Sequence, residues 1–267
     1  MKIYKNYDEE PEDVFLPLNE ELYSSLYSLE MDTFSADIPF YNHHLPESGN
    51  ILEIGCGNGR VCRKLTDHKR KITAIDTSLS MLKRARNTIG NSCRFLCMDM
   101  RNMAFSKPFD SIIIPYNTLN LLCTENDILS CLHQCAACLT DPGRLCLQLY
   151  LPPLNILKQK GKTFQFQMFD RPDGGKVIKE ILKKYISSTN IIEIEERFRI
   201  RPMTTEQSNR DYNHFYTLAA FSFSTWLQLF RQAGFILEES YGSYGLEPTL
   251  SGKNSLLLAV FHHAETA

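Results

Sequence analysis

Gly55, Gly57 and Gly59 stand at alternate positions directly after the apolar run Ile51-Leu52-Glu53-Ile54 and just before a helical start over Val61 to Leu65. A strand that turns this sharply into a helix is suited to holding a nucleoside-bearing ligand against its backbone. Glycine permits the positive φ values of the turn and removes the Cβ that would strike the ligand, while the helix start beyond offers unpaired N–H groups to ligand oxygens. A dinucleotide loop of the G-x-G-x-x-G kind needs a further glycine at position 60. Arg60 stands there instead and would obstruct a pyrophosphate, which argues against NAD or FAD.

Three more groups fall where neighbouring strands should end. Ile72 to Ile75 closes on Asp76, a carboxylate able to accept both hydroxyl hydrogens of a ribose. Cys93 to Cys97 runs into Met98-Asp99-Met100, an acceptor for an adenine amino group beside an apolar wall. Ser111 to Ile114 leads into Pro115-Tyr116-Asn117-Thr118, so polar atoms gather at the carboxyl edge of the sheet, where ligands bind in open α/β folds.

The elements that must carry these groups follow from the pattern of periods and breaks. Leu22, Leu26 and Leu29, with Tyr23 and Tyr27, form a helical stripe within residues 1 to 45, read as a helical lid ahead of the sheet. Strand five spans Arg144 to Tyr150, after which strand–helix alternation lapses for about seventy residues. Thr163 to Phe169, Lys176 to Ser187, Asn190 to Ile200 and Tyr212 to Phe223 read instead as an antiparallel β layer covering 153–223. A helix capped at Ser224 then precedes two strands, Phe235 to Tyr241 and Ser255 to Phe261. The core is thus expected over 46–152 and 224–263.

The stretch Glu53 to Gly59, an acid followed by alternate glycines, together with Asp76, resembles the first two motifs of the class I S-adenosylmethionine-dependent methyltransferases. The resemblance continues through Asp99, Phe109-Asp110, Asp141 to Arg144 and Ala233-Gly234-Phe235, covering roughly residues 35 to 262. It implies a Rossmann-like, seven-stranded, doubly wound sheet of order 3-2-1-4-5-7-6. It also implies S-adenosyl-L-methionine as cofactor and S-adenosyl-L-homocysteine as product. Gly55, Gly57 and Gly59 are then expected along the methionine part, Asp76 at the ribose, and Asp99 with Met100 at the adenine. Glu53, Cys56, Thr77, Met81 and Pro115 are also expected to bind the cofactor, with Tyr23 and Tyr27 as cover from the lid.

Methyl transfer from a sulfonium needs an aligned nucleophile, exclusion of water and, for some acceptors, a base. Tyr116 and Asn117 after strand four and His214 in the insert are the catalytic candidates, with Tyr150, Tyr244 and Glu247 nearby in the pattern. Each also has a structural reading, as a strand cap or as a packed aromatic. The absence of an evident base or metal triad favours nitrogen of a small molecule as the acceptor atom. The alternatives are a small-molecule O-methyltransferase with His214 as base, and a non-catalytic cofactor-binding protein, since fold does not fix function.

A chain of 267 residues, 43% hydrophobic and 22% charged, can bury a substantial core. Its net charge of −2, with no dense basic block, gives no field for nucleic acid. No apolar run of membrane-spanning length and no signal-peptide core occurs, so cytoplasmic residence is expected, with the β layer serving as acceptor cover or homodimer contact. Nine cysteines without disulfide spacing suit reduced thiols. Cys131, Cys135 and Cys138 share one helical face. Core packing beside Ile128 and Leu132 is preferred there over a zinc site completed by Cys123.

Overall fold

Ile51 and Leu52 point to opposite faces of one strand and both are fully buried, so the sheet that carries them is covered on both sides. The computed structural model describes residues 14–67, 69–159, 161–203, 209–247 and 255–263. The chain begins with β1 (Leu16–Pro17), α1 (Glu20–Met31) and α2 (Ile38–His44). It enters the main sheet through β2 (Gly49–Ile54), α3 (Arg60–Leu65), β3 (Arg70–Asp76), α4 (Leu79–Ile89), β4 (Cys93–Cys97) and β5 (Phe109–Ile114). After α5 (Glu125–Cys138), β6 (Leu139–Tyr150) and α6 (Leu154–Lys158) come four long strands. These are β7 (Thr163–Asp170), β8 (Lys176–Ile186), β9 (Ile191–Arg201) and β10 (Arg210–Ala219). The chain returns through α7 (Phe223–Gln232), β11 (Phe235–Tyr241) and β12 (Leu256–His263).

The main sheet has the order β11-β12-β6-β5-β2-β3-β4. Its pairs are parallel except where β12 runs antiparallel to both β6 and β11. Numbered by strand within this sheet, that is the expected 3-2-1-4-5-7-6. Leu52, Ile54, Ile112 and Ile114 face the layer of α5 and α7, where Trp226 and Phe230 are fully buried. Ile51 and Ile113 face the other layer, with Val61, Leu65 and Leu82 of α3 and α4. Cys131, Cys135 and Cys138 pack into the first of these cores.

Three boundaries differ most from the expected ones. The strand expected over Tyr212 to Phe223 is β10, Arg210–Ala219, since Ser222 already caps the next helix. Strand β6 starts at Leu139, since Leu139 already pairs with Phe109 before a register shift carries the ladder past the Asp141-Pro142-Gly143 turn residues to Arg144. Helix α7 is capped by Ser222 rather than Ser224: the Ser222 hydroxyl accepts from the Thr225 N–H at 3.1 Å, which starts the helix at Phe223.

The second sheet has the order β1-β10-β9-β8-β7 and is antiparallel apart from the short parallel pair of β1 with β10. Helix α1 leaves β1 directly and packs against this sheet through Leu26, which is buried with Val177 and Phe198. The lid therefore lies between the insert and the glycine loop. Residues 1–13 of the expected lid lie outside the described residues. No described helix is long and apolar enough to cross a membrane.

Candidate active site

The loop after β2 is fixed by its own backbone. The N–H groups of Gly55 and Cys56 both donate to the Ile75 carbonyl, at 2.8 and 3.0 Å, which pins the turn to the end of β3. At Gly55 φ is +70°, and a Cβ there would stand 2.1 Å from Cγ2 of Thr118. No other residue type fits. Gly57 differs, since a Cβ there would meet only Tyr27 at 3.7 Å, so its backbone is open to the cavity.

Two acids flank the loop. Asp76 accepts from the N–H groups of Gly57 (2.8 Å) and Ser78 (2.9 Å), which orients its carboxylate, while burial raises its proton affinity. Glu53 is 1% exposed and its Oε2 has no partner, and burial pushes its carboxyl up to about 8 against the opposing pull of Arg60. A buried, half-satisfied carboxyl beside an open glycine backbone is complementary to a ligand ammonium. The α-ammonium of a methionine-derived cofactor, with its ribose at Asp76, fits this donor and acceptor set.

Arg60, the residue that argued against a dinucleotide, turns out to fasten the lid. Its guanidinium makes two bonds of 2.7 Å to Asp37, with side-chain exposures of 3% and 0%, and lies 5.0 Å from the ring centroid of Phe34. Asn58 completes the fastening by donating to Ser28 and Asp32 of the lid at 2.9 and 2.7 Å. Tyr23 and Tyr27 of α1 are thereby held over the loop, and burial raises both phenols well above their ordinary range.

From the loop a cavity of about 590 Å³ extends under the insert. Near the loop it is bounded by Tyr116 and Asn117, which adopt left-handed φ values of 48° and 63°. Such conformations in non-glycine residues concentrate at functional sites. Asn117 is steadied by Gln148, whose Nε2 donates to it at 3.2 Å and whose Oε1 accepts from the Tyr244 hydroxyl at 3.1 Å.

The far wall comes from the insert and carries charge. Lys179 bridges Glu30 of α1 and Glu196 of β9, at 2.7 Å to each. Burial alone would lower the Lys179 ammonium, but the two carboxylates outweigh it and raise its proton affinity. Burial likewise pushes Glu196 up, yet His214 and Lys179 together hold it below its ordinary range. Nδ1 of His214 stands 3.5 Å from Oε2 of Glu196, and its ring stacks on Tyr23 with centroids 4.2 Å apart.

Of the residues expected from sequence, Tyr23, Tyr27, Glu53, Gly55, Cys56 and Gly57 line this cavity. So do Asp76, Met81, Pro115, Tyr116, Asn117 and His214, together with Tyr150. Gly59, Thr77, Asp99 and Met100 do not. Gly59 instead starts α3 with φ +82°, and Asp99 is turned to Arg101 at 2.7 Å, which holds its carboxyl below the ordinary range. Glu247 accepts from Ser243 at 2.9 Å, away from the cavity lining. Sequence reasoning missed Glu30, Arg60, Lys179, Lys183 and Glu196. The alternation Lys179-Ile181-Lys183 in an inward-facing strand was the available signal.

Comparison with known proteins agrees with this geometry. Residues 51–143 match the family described as a methyltransferase domain. The Bacillus subtilis (strain 168) protein YqeM, named as a candidate methyltransferase, is 38% identical over 88 residues, which is 32% of this chain and 36% of that protein. The chain thus aligns with about a third of that relative's length. Among solved structures, CalS10 of Micromonospora echinaspora, an amino pentose methyltransferase with S-adenosylmethionine bound, superposes with a TM-score of 0.70 at 18% identity. That match covers 94% of this chain and 99% of CalS10. The sugar N-methyltransferase KedS8 of Streptoalloteichus gives 0.71 at 14% identity, covering 97% and 99%. Loop, acid-closed strands, sheet order and matched family converge: the chain carries a class I S-adenosylmethionine-dependent methyltransferase domain, with S-adenosylmethionine as its cofactor.

Proposed function

We propose that the protein methylates a nitrogen of a small, polar amine acceptor in the cavity beneath the insert. The observation that carries this reading is the far wall, where Glu196, His214 and the Lys179 bridge replace the apolar lining that a hydrophobic acceptor would need. When bound, the cofactor supplies an electrophilic sulfonium methyl group. The glycine loop, Glu53 and Asp76 hold it, while Tyr116 and Asn117 bound the point at which the acceptor approaches. His214 takes the proton from the acceptor's ammonium and frees its lone pair, and the adjacent Glu196 carboxylate stabilises the imidazolium that forms. The lid excludes water from the transfer. The likeness to CalS10, an amino pentose methyltransferase, and to KedS8, a sugar N-methyltransferase, supports a polar amine.

A panel of amino sugars and their parent hydroxyl sugars, incubated with S-adenosylmethionine and followed by mass spectrometry, tests the acceptor atom. Methylation of the amines alone is expected. His214→Ala is expected to lower kcat by about 10²-fold or more at unchanged S-adenosylhomocysteine affinity. Transfer to the parent hydroxyls would instead establish an O-methyltransferase using the same histidine. Tight cofactor binding with no transfer to either group would return the chain to a binding role.

The proposed setting is the cytoplasm, which suits nine cysteines that are all free. The proposed partner is a second copy. Phe164, Phe166 and Met168 project from one face of edge strand β7 with exposures of 60%, 69% and 58%, and two such strands can pair antiparallel about a twofold axis. Light scattering should give a dimer for the parent and a monomer for Phe166→Lys. A parent that runs as a monomer at micromolar concentration would remove this partner.

A further inference from the structure

Three cationic side chains line the cavity, and two of them are committed: Arg60 to Asp37, and Lys179 to Glu30 and Glu196. The Lys183 ammonium makes no hydrogen bond or ion pair with any described residue. Its ammonium stands 5.8 Å from the ring centroid of Tyr150, and burial lowers its proton affinity. The Tyr150 hydroxyl is itself buried without a partner. The position of that ring is set by the backbone of Tyr150, which exchanges bonds of 2.9 and 3.0 Å with the Asn120 side chain. A buried hydroxyl with nothing to donate to thus stands beside a half-buried ammonium that has no ion-pair partner among the described residues, and an unpaired buried donor costs free energy that an acceptor would recover.

The position of this pair relative to Glu196 is fixed by the ladder. Ile181 lies opposite Glu196 and Lys183 opposite Ile194, so Lys183 and Glu196 are diagonal neighbours on the inner face, about 7–8 Å apart at the backbone. Oε2 of Glu196 also lacks a hydrogen-bond partner. The wall thus presents an unsatisfied acceptor for a cation one side-chain step from unsatisfied donors for an anion.

We propose that Lys183 and the Tyr150 hydroxyl form an anion subsite, so that the acceptor carries a phosphate or carboxylate on the arm away from its amine. The inference rests on the reading of the cavity as the acceptor site. It narrows that acceptor from a polar amine to a zwitterionic one. The phosphate or carboxylate oxygens accept from the Lys183 ammonium and the Tyr150 hydroxyl, while the amine lies toward Glu196 and His214.

Calorimetric titration of the full chain saturated with S-adenosylhomocysteine, using glucosamine, glucosamine 1-phosphate and glucosaminic acid in turn, tests the subsite. At least one of the two anionic probes is expected to bind ten-fold or more tightly than glucosamine, and which one gains distinguishes phosphate from carboxylate. Lys183→Gln should abolish the advantage without changing S-adenosylhomocysteine affinity. Lys183→Arg should keep it, and Tyr150→Phe should lose part of it. Equal binding of all three probes, no measurable binding of any of them, or an advantage that survives Lys183→Gln would overturn the proposal. Methylation of neutral amines with no anionic advantage would remove this subsite and leave the proposed reaction standing.

Discussion

Replacing Arg60 with leucine is expected to lower folding stability by about 3–5 kcal/mol, because the Asp37 carboxylate is left buried without its partner. The pair is 3% and 0% exposed and doubly bonded, so no water reaches Asp37 to compensate. Urea unfolding should show a lower midpoint at unchanged slope. The double variant Arg60→Leu with Asp37→Leu should recover much of the loss, since an apolar pair of similar volume removes the uncompensated charge. The same single substitution should weaken cofactor binding, since Arg60 joins α3 to the start of α2 and lies 5.9 Å from the Tyr116 ring centroid. An Arg60→Leu protein as stable as the parent would refute the structural role.

The second large effect is a dependence of cofactor binding on pH through Glu53. Its carboxyl is raised from 4.5 to about 8 in the folded protein. Below pH 4.5 it is protonated both folded and unfolded. As pH rises toward 8 the unfolded chain sheds this proton and the folded chain keeps it, so Glu53 makes stability fall across that window, by at most about 1.4 kcal/mol per pH unit. In the proposed cofactor pose the ammonium lies against the unpartnered Oε2 and favours the ionised form. Binding at pH 7 should therefore expel a proton, and affinity should climb with pH before levelling near 8. Calorimetry in two buffers of different ionisation enthalpy measures that proton directly. Glu53→Gln should bind more weakly and release none. Equal proton release by parent and variant would show that the proton comes from elsewhere.

The main sheet was legible because strands covered on both faces are continuous apolar runs, such as Ile112-Ile113-Ile114, whose members divide between two cores. The loop was legible because its turns require glycine. Asp76 was readable on the same terms, as an acid closing a strand. Asp99 shows the limit of that inference: position along the chain gives the end of a strand but not the direction of a side chain, and Arg101, two residues on, captures it. The far wall was hidden for a different reason. Glu30, Lys179 and Glu196 come from three elements, and Lys179 and Glu30 are 149 positions apart. A charged residue in an isolated strand reads as solvated until the strand's inner face is known. Arg60 was noticed only as an obstacle, since its partner Asp37, 23 positions earlier, carries no local signature.

Leu16 and Pro17 pair with Tyr212 and Asn213, only a few residues before α1 begins. Helix α1, which lies over the glycine loop, and the sheet that roofs the cavity are therefore tethered to each other, and the Lys179 bridge joins them a second time. Uncovering the glycine loop therefore cannot leave the roof of the cavity undisturbed: displacing α1 would break both the β1 pairing and the Glu30 end of the bridge, so the cavity's two ends are mechanically linked.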